Sequence, residues 1–382
     1  MATWIRGGAF SSFKEAEAPA ANRVFGKQTP RIRAESAEDR SPATQFQKVP
    51  RVSVILPAYN ARLWIYGAVS SILRQTYRDW ELIVCDDGST DDTADKVERL
   101  CAADRRLKLI RTSHAGIVSA LNAAVSSSSG ELLARMDADD LCHPLRLQLQ
   151  VELLDNHPDV WLASCLVRCF PRRTLPEGME RYEQWLNSLI LHEDIERDFF
   201  VESPFAHPSV MMRRAAFEAV GGYQNVPWPE DYDLWMRMRL HGARFAKVPQ
   251  ILFYWRDHRQ RLTRTQERYS MRAFRALKTH YLRKDFLKDV DALQIWSAGY
   301  SGRNWARHLQ QSGFTVLRFI DIDPGKIGTE VCGAPVVAPE ELAQYRGDPL
   351  LVCIGVRGVR AQIRAFLSSI GWTEGKDYVC VA

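Results

Sequence analysis

The sequence predicts an α/β protein of two domains, on three observations. A strand–loop–helix pattern repeats three times between residues 51 and 140. Each of those strands ends in a polar loop, PAYN, DDGS or DADD. A fresh strand, glycine turn, helix and strand then begin at ALQIWSAGYSGR (292–303). At 382 residues the chain is long for one domain. The expected boundaries are 1–48 for an extension, 49–288 for the first domain and 289–382 for the second.

Residues 1–48 mix Ala, Ser, Pro, Arg and Glu with neither hydrophobic period, and are read as a disordered extension. They lack the apolar core of a secretory signal. Glu15, Glu17, Glu35, Glu38 and Asp39 are more acid than a transit peptide usually allows, so an organelle address is a weak alternative. RVSVILPAYN reads as a strand, and Leu63, Ile65, Val69, Ile72 and Leu73 after it recur at helical spacing. WELIVCDDGSTDDTADKVERL repeats the pattern with a strand over Glu81–Cys85, and RLKLIRTSHAGIVSALNAAVSSSSGELLARMDADD repeats it again. Alternation of this kind calls for a parallel sheet with right-handed crossovers. The three polar loops then share one sheet edge, where open α/β sheets bind nucleotides.

RMDADD (135–140) places Asp137, Asp139 and Asp140 at such a strand end. Two Asp two residues apart can face one hard cation, Mg²⁺ or Mn²⁺, which often shares its oxygens with substrate phosphates. Asp140 is read as a loop or cap residue. In PEDYDLW (229–235), Glu230, Asp231 and Asp233 open a helix, where acids favour the N-terminus; capping is the reading for Asp233. Trp228 beside them stacks on a sugar or simply packs. Arg261, Arg264, Arg268, Arg272 and Arg275 step by three or four, so a single helix would align them in a basic stripe. A solvated face with local acid partners is the favoured reading of that stripe, and a surface tracking RNA phosphates the minority one.

Global composition is less informative. A formal net charge of +5 is too mild to declare nucleic-acid binding. The eight Cys show no CxxC pair, which argues against a structural zinc or disulfide framework and for a reducing, cytoplasmic setting. No run of about 18 apolar residues marks a membrane span. The second domain reads as a small Rossmann-like unit with a Gly299–Gly302 turn. Ser297 stands where the dinucleotide fingerprint has its first Gly, and Asp321 and Asp323 end the next strand. A cofactor site is open there, but a scaffold shaping the acceptor site, or a dimer contact, is the expectation.

VSVILPAYN, QTYRDWELIVCDDGSTDDT, GIVSALN, DADD, HPSVMMRRAAFEAVGGY and PEDYDLWMRM, in that order, resemble glycosyltransferase family 2. The resemblance implies a nucleotide-diphosphosugar transferase (GT-A type) domain that inverts the anomeric centre of a UDP-sugar. By that likeness Pro57 and Tyr59 line the uracil, Asp87 accepts its ring N–H, and Asp137 with Asp139 form a DxD holding Mn²⁺ or Mg²⁺. Asp231 is the implied base and Glu230 an acceptor anchor or alternative base. His258 completes the metal shell or is simply exposed, and His207 is a loop or acceptor-side residue. Residues 51–382, including ERYEQWLNSLI, VPWPEDY, IWSAGYSGR and EGKDYVCVA, further resemble the β-1,3-N-acetylglucosaminyltransferase-like, or queuosine-tRNA galactosyltransferase, group. That implies UDP-galactose as donor and queuosine in tRNA as acceptor, met by Arg264, Arg268, Arg272 and Trp228. A polysaccharide or lipid-linked acceptor is the alternative, and a non-catalytic sugar-nucleotide or RNA-binding protein a further one. The oligomeric state is not legible.

Overall fold

The structure, a computed structural model, describes residues 49–356 and 358–382; the extension read as disordered over 1–48 lies outside them. The first sheet begins with β1 (Val52–Ala58), β2 (Trp80–Asp86), β3 (Leu107–Arg111) and β4 (Leu132–Arg135), parallel neighbours in the order β3-β2-β1-β4. Their connections are α1 (Ile65–Leu73), α2 (Thr93–Ala103) and α3 (Ile117–Ser126). β1, β2 and β4 are buried at every position, which is why they read as continuous apolar runs rather than alternating ones. Gly130 admits the close approach of β4 to β1, since a Cβ there would meet the Ser53 nitrogen at 2.7 Å. Leu63, counted on the apolar face of the first helix, instead precedes it and is exposed at the strand-end edge.

The sheet continues through β5 (Leu141–Cys142), α4 (Arg146–Asn156), β6 (Val160–Phe170), α5 (Glu177–Ser188), α6 (His192–Arg197), β7 (Met211–Arg213), α7 (Arg214–Ala219), α8 (Glu230–Leu240) and β8 (Arg244–Arg256). β7 runs antiparallel to both β4 and β6, so the eight strands, ordered β3-β2-β1-β4-β7-β6-β8-β5, make a mixed sheet. α8 is anchored by its buried Tyr232, Leu234, Trp235, Met236 and Met238. That burial leaves its first turn, with Glu230 and Asp231, at the strand-end edge.

The arginine stripe does not form. The chain after β8 breaks into α9 (Leu262–Thr265), a 3₁₀ turn over Glu267–Tyr269 and α10 (Met271–Lys284). Ser270 is the reason for the second break: its hydroxyl accepts the Ala273 N–H and so caps a new helix. Arg264 binds both oxygens of Asp257, and Arg268 reaches Asn225 and Glu230. Arg264 and Arg272 are both exposed, the latter on α10, while Arg268 is half-buried.

The second sheet comprises β9 (Ala292–Trp296), α11 (Tyr300–Gln311), β10 (Thr315–Ile320), β11 (Glu330–Val331), β12 (Ala334–Val337), β13 (Leu350–Val352), α12 (Val359–Ser369) and β14 (Tyr378–Cys380). Its order is β11-β12-β10-β9-β13-β14, parallel apart from β11. Ser297 holds a φ of 119°, a conformation that favours Gly, in the turn after β9. Gly302 must lack a side chain, because a Cβ would lie 1.8 Å from the Ser297 carbonyl oxygen. The two sheets meet through one apolar cluster: Leu277 and Tyr281 of α10 belong with Trp305 of α11 and Phe314 just before β10. Arg364 of α12 also pairs with Asp198 at 2.7 Å, and the buried Lys278 donates to the carbonyls of both Val201 and Val381.

Candidate active site

A cleft of about 670 Å³ opens at the carboxyl ends of β1 and β4, walled on the far side by the start of α8 and the segment after β8. Pro57, Tyr59 and Asp87 stand together on one wall. The Asp87 carboxylate is oriented by the backbone N–H groups of Ala115 and Gly116, both at 2.9 Å. His114, not singled out by the sequence, stacks on Tyr59 with ring centroids 4.0 Å apart and sits 2.8 Å from Asp87. Its signal was its place after β3, on the same edge as the other polar loops.

At the end of β4, carboxylate oxygens of Asp137, Asp139 and Asp140 lie within 4.8 Å of one another. The buried Arg135 pairs with Asp137 at 2.7 Å, and His258 Nε2 lies 2.6 Å from Asp139 Oδ2. Asp140 is a buried loop residue: its Oδ1 accepts the Arg256 N–H at 2.6 Å, tying the acidic loop to β8, while its Oδ2 has no partner among the described residues. Burial raises Asp137 above the ordinary carboxylate range, and burial with the charge of Asp139 raises Asp140 well above it. Clustered carboxyl oxygens, one of them orphaned, with an imidazole alongside are a donor set suited to Mg²⁺ or Mn²⁺. Asp137, Asp139 and His258 are the residues that would hold such an ion.

Glu230 and Asp231 face the same cleft in different states. Glu230 is buried and engaged, accepting the Tyr269 hydroxyl at 2.8 Å with Arg268 at 3.6 Å. Asp231 is half-buried, and its side chain accepts the N–H of Tyr232. Burial first, and then the neighbouring Glu230, push its pKa up to about 8. Asp233 does not cap α8. It is a buried acceptor for Trp228 Nε1, the Tyr281 hydroxyl and Arg237, each at 2.8 Å.

Trp228 is thereby turned toward Asp233 and His280 and is absent from the cleft wall. Of the acceptor-side arginines, Arg264, Arg268 and Arg272 also lie outside that wall, whereas Arg261 joins it. His207 lines the cleft and is held neutral, since burial and the charge of Arg135 take its pKa well below the usual value. Tyr182, Glu202, Trp255 and Tyr269 complete the far wall, and only their convergence in three dimensions marks them.

A cleft at strand ends with an acid cluster is suited to a nucleotide diphosphate, and comparison with known proteins gives the class: a glycosyltransferase. The family model for Glycosyl transferase family 2 matches residues 53–221. EpsE of Bacillus subtilis (strain 168) is 32% identical over 230 residues, 58% of this chain and 78% of its own. An uncharacterized glycosyltransferase of Haemophilus influenzae is 28% identical over 273 residues, 68% of this chain and 84% of its own. WfgD of Escherichia coli, named UDP-Glc:alpha-D-GlcNAc-diphosphoundecaprenol beta-1,3-glucosyltransferase, is 42% identical over 104 residues, 27% of this chain and 40% of its own. The chain belongs to glycosyltransferase family 2, and its first sheet is that family's mixed α/β nucleotide-sugar transferase fold, GT-A in type. Among the described residues no helix is long and apolar enough to cross a membrane.

Proposed function

We propose that the protein transfers a hexose from a UDP-sugar, with inversion, to a hydroxyl group of a polymer-borne or lipid-linked glycan. The observation carrying this reading is that the acid cluster with His258 and the half-buried Asp231 open into one cleft. The name of WfgD, a UDP-glucose enzyme acting on a lipid diphosphate, supports the donor and acceptor classes. In this reading Pro57 and Tyr59 flank the base and Asp87 accepts its N–H. Asp137, Asp139 and His258 hold Mn²⁺ or Mg²⁺, which when bound supplies positive charge to the departing diphosphate. Arg135 favours the ionised form of Asp137 against its burial and aims it. Asp231 takes the acceptor's hydroxyl proton as that oxygen bonds to the anomeric carbon, and the bond from that carbon to the diphosphate breaks with its electron pair leaving on UDP. Glu230, held by Tyr269 and Arg268, is the acceptor anchor.

Transfer to queuosine in tRNA remains the second reading, supported by the likeness that runs through the whole of residues 51–382. The engaged state of Arg264 and Arg268 removes one of its motives. We assign residues 289–382 as a Rossmann-like scaffold domain. Asp321, at the position of a ribose-binding acid, is already used by the Ala298 N–H and Lys326.

The test is to offer radiolabelled UDP-galactose, UDP-glucose and UDP-N-acetylglucosamine with Mn²⁺ to lipid-linked glycans and to tRNA with and without queuosine. Label in the glycan fraction supports the main reading. Label confined to queuosine-containing tRNA replaces it with the second, and no UDP release from any donor overturns both.

A further inference from the structure

Where α10 packs on α11, three buried polar atoms have no hydrogen-bond partner among the described residues: Arg275 Nε, Thr279 Oγ1 and His308 Nε2. None of these residues lines the cleft. Arg272, Arg275 and Thr279 recur at helical spacing and so share one face of α10. Arg283, one turn further along that face, donates to the Ser312 carbonyl just after α11 and covers the Phe314 ring. The face is therefore turned toward α11. His308 meets it there: burial, and then the charges of Arg275 and Arg272, hold its imidazole below the ordinary value, so the ring is neutral. Neither Arg272 nor Arg275 forms a side-chain hydrogen bond or an ion pair with any described residue.

Buried polar groups are almost always partnered, so three orphans along one seam mark a place for a ligand or a water. Their chemistry decides between the two. Arg275 Nε–H can only donate, and the Thr279 hydroxyl and a neutral imidazole can each donate as well. The partner that satisfies all three is an acceptor with several oxygens, and the two unpaired guanidinium groups beside it call for negative charge. Water brings two lone pairs and no charge. A tetrahedral oxyanion brings more oxygens and takes the stronger, charge-assisted bonds.

We propose that the seam between α10 and α11 is a phosphate-binding site, in which Arg275, Thr279 and His308 donate to the oxygens and Arg272 meets the anion from the solvent side. The site lies outside the transferase cleft and does not depend on that reading. Inorganic phosphate and AMP are titrated into the full chain with EDTA present, so that no metal in the cleft recruits the anion. Binding is followed by NMR on the His308 ring resonances, identified by their loss in His308→Gln. Phosphate is expected to shift them saturably, and Arg275→Gln to weaken that binding about tenfold or more, the worth of a hydrogen bond to a charged group. Arg272→Gln, at an exposed position, should weaken it with the thermal unfolding midpoint unchanged, whereas Arg307→Gln, exposed on a different face of α11, should leave it as in the wild type. AMP that displaces phosphate would make the ligand a phosphate ester, and AMP that does not bind would make it the free ion. No saturable shift with either, a shift reproduced by sodium chloride at equal ionic strength, or an affinity that Arg272→Gln and Arg275→Gln leave unchanged overturns the proposal and assigns the seam to water.

Discussion

Asp231 and Glu230 are adjacent in sequence, and burial raises both carboxyls, but they differ in what holds them. Glu230 has its oxygens occupied by Tyr269 and Arg268, whereas Asp231 keeps a carboxyl raised to about 8 and facing the cleft. A base must be ionised, so kcat/KM is expected to climb with pH through a midpoint near 8. Because Glu230 contributes to that rise, Glu230→Gln should move the midpoint toward acid. Stability runs the other way. The folded protein keeps on Asp231 a proton that the unfolded chain releases near its ordinary value of 3.8, so this group's stabilisation is complete below that pH and is lost as pH rises toward 8. Asp231→Asn should leave UDP-sugar binding intact and slow transfer by roughly 10²–10⁴-fold, the usual worth of general-base catalysis. Retained turnover in single-turnover assays would move the base to Glu230. For Asp139→Asn, Mn²⁺-dependent UDP-sugar binding measured by calorimetry should disappear; unchanged binding would remove Asp139 from the metal site.

At the scale of elements, the helices around the cleft are placed by what they bury. α8 presents its acids because five larger side chains behind them are in the core, and acids in a first turn gain about 0.3–1 kcal/mol from the helix dipole. The segment after β8 shows the opposite case. Its arginine spacing suits a continuous helix, but the Ser270 cap and the pull of Asp257 and Glu230 on individual guanidinium groups break it into pieces. Ser270→Ala should therefore cost about 1 kcal/mol, read from denaturant unfolding. An unchanged midpoint would mean that the start of α10 is set by its packing against α11 instead.

At the scale of the whole molecule, the two sheets share a core cluster and a polar joint. Arg364 connects the buried Asp198 to Glu374, and Lys278 holds Val201 and the chain end at Val381. Asp198 keeps Arg197, Arg360 and Trp185 when Arg364 is removed, so Arg364→Ala is expected to destabilise the protein by about 2 kcal/mol, the worth of a hydrogen bond to a charged group. With the core shared, unfolding by calorimetry should remain a single transition at a lower temperature. Two resolved transitions would show instead that residues 289–382 unfold as an independent domain.

The repeated strand–loop–helix units, the three polar strand ends and the DADD cluster were legible in the chain, because burial on both faces writes continuous apolar runs and sharp strand ends carry polar residues. Pro57, Tyr59, Asp87, Asp137, Asp139, Glu230, Asp231 and His258 could all be named from local motifs, and the structure brings all eight to one cleft. Local sequence could not say that Asp231 is held only by backbone N–H groups among the described residues while Glu230 is engaged by side chains, that Trp228 turns away, or that Glu202, Tyr182, Tyr269 and His114 converge on the cleft. Those outcomes depend on contacts between residues far apart in the chain, such as Glu230 with Tyr269 or Asp139 with His258. Spacing along a chain encodes which elements form and which face they bury. The charge state and partner of each buried group are set only when packing removes water and brings distant side chains within hydrogen-bonding distance.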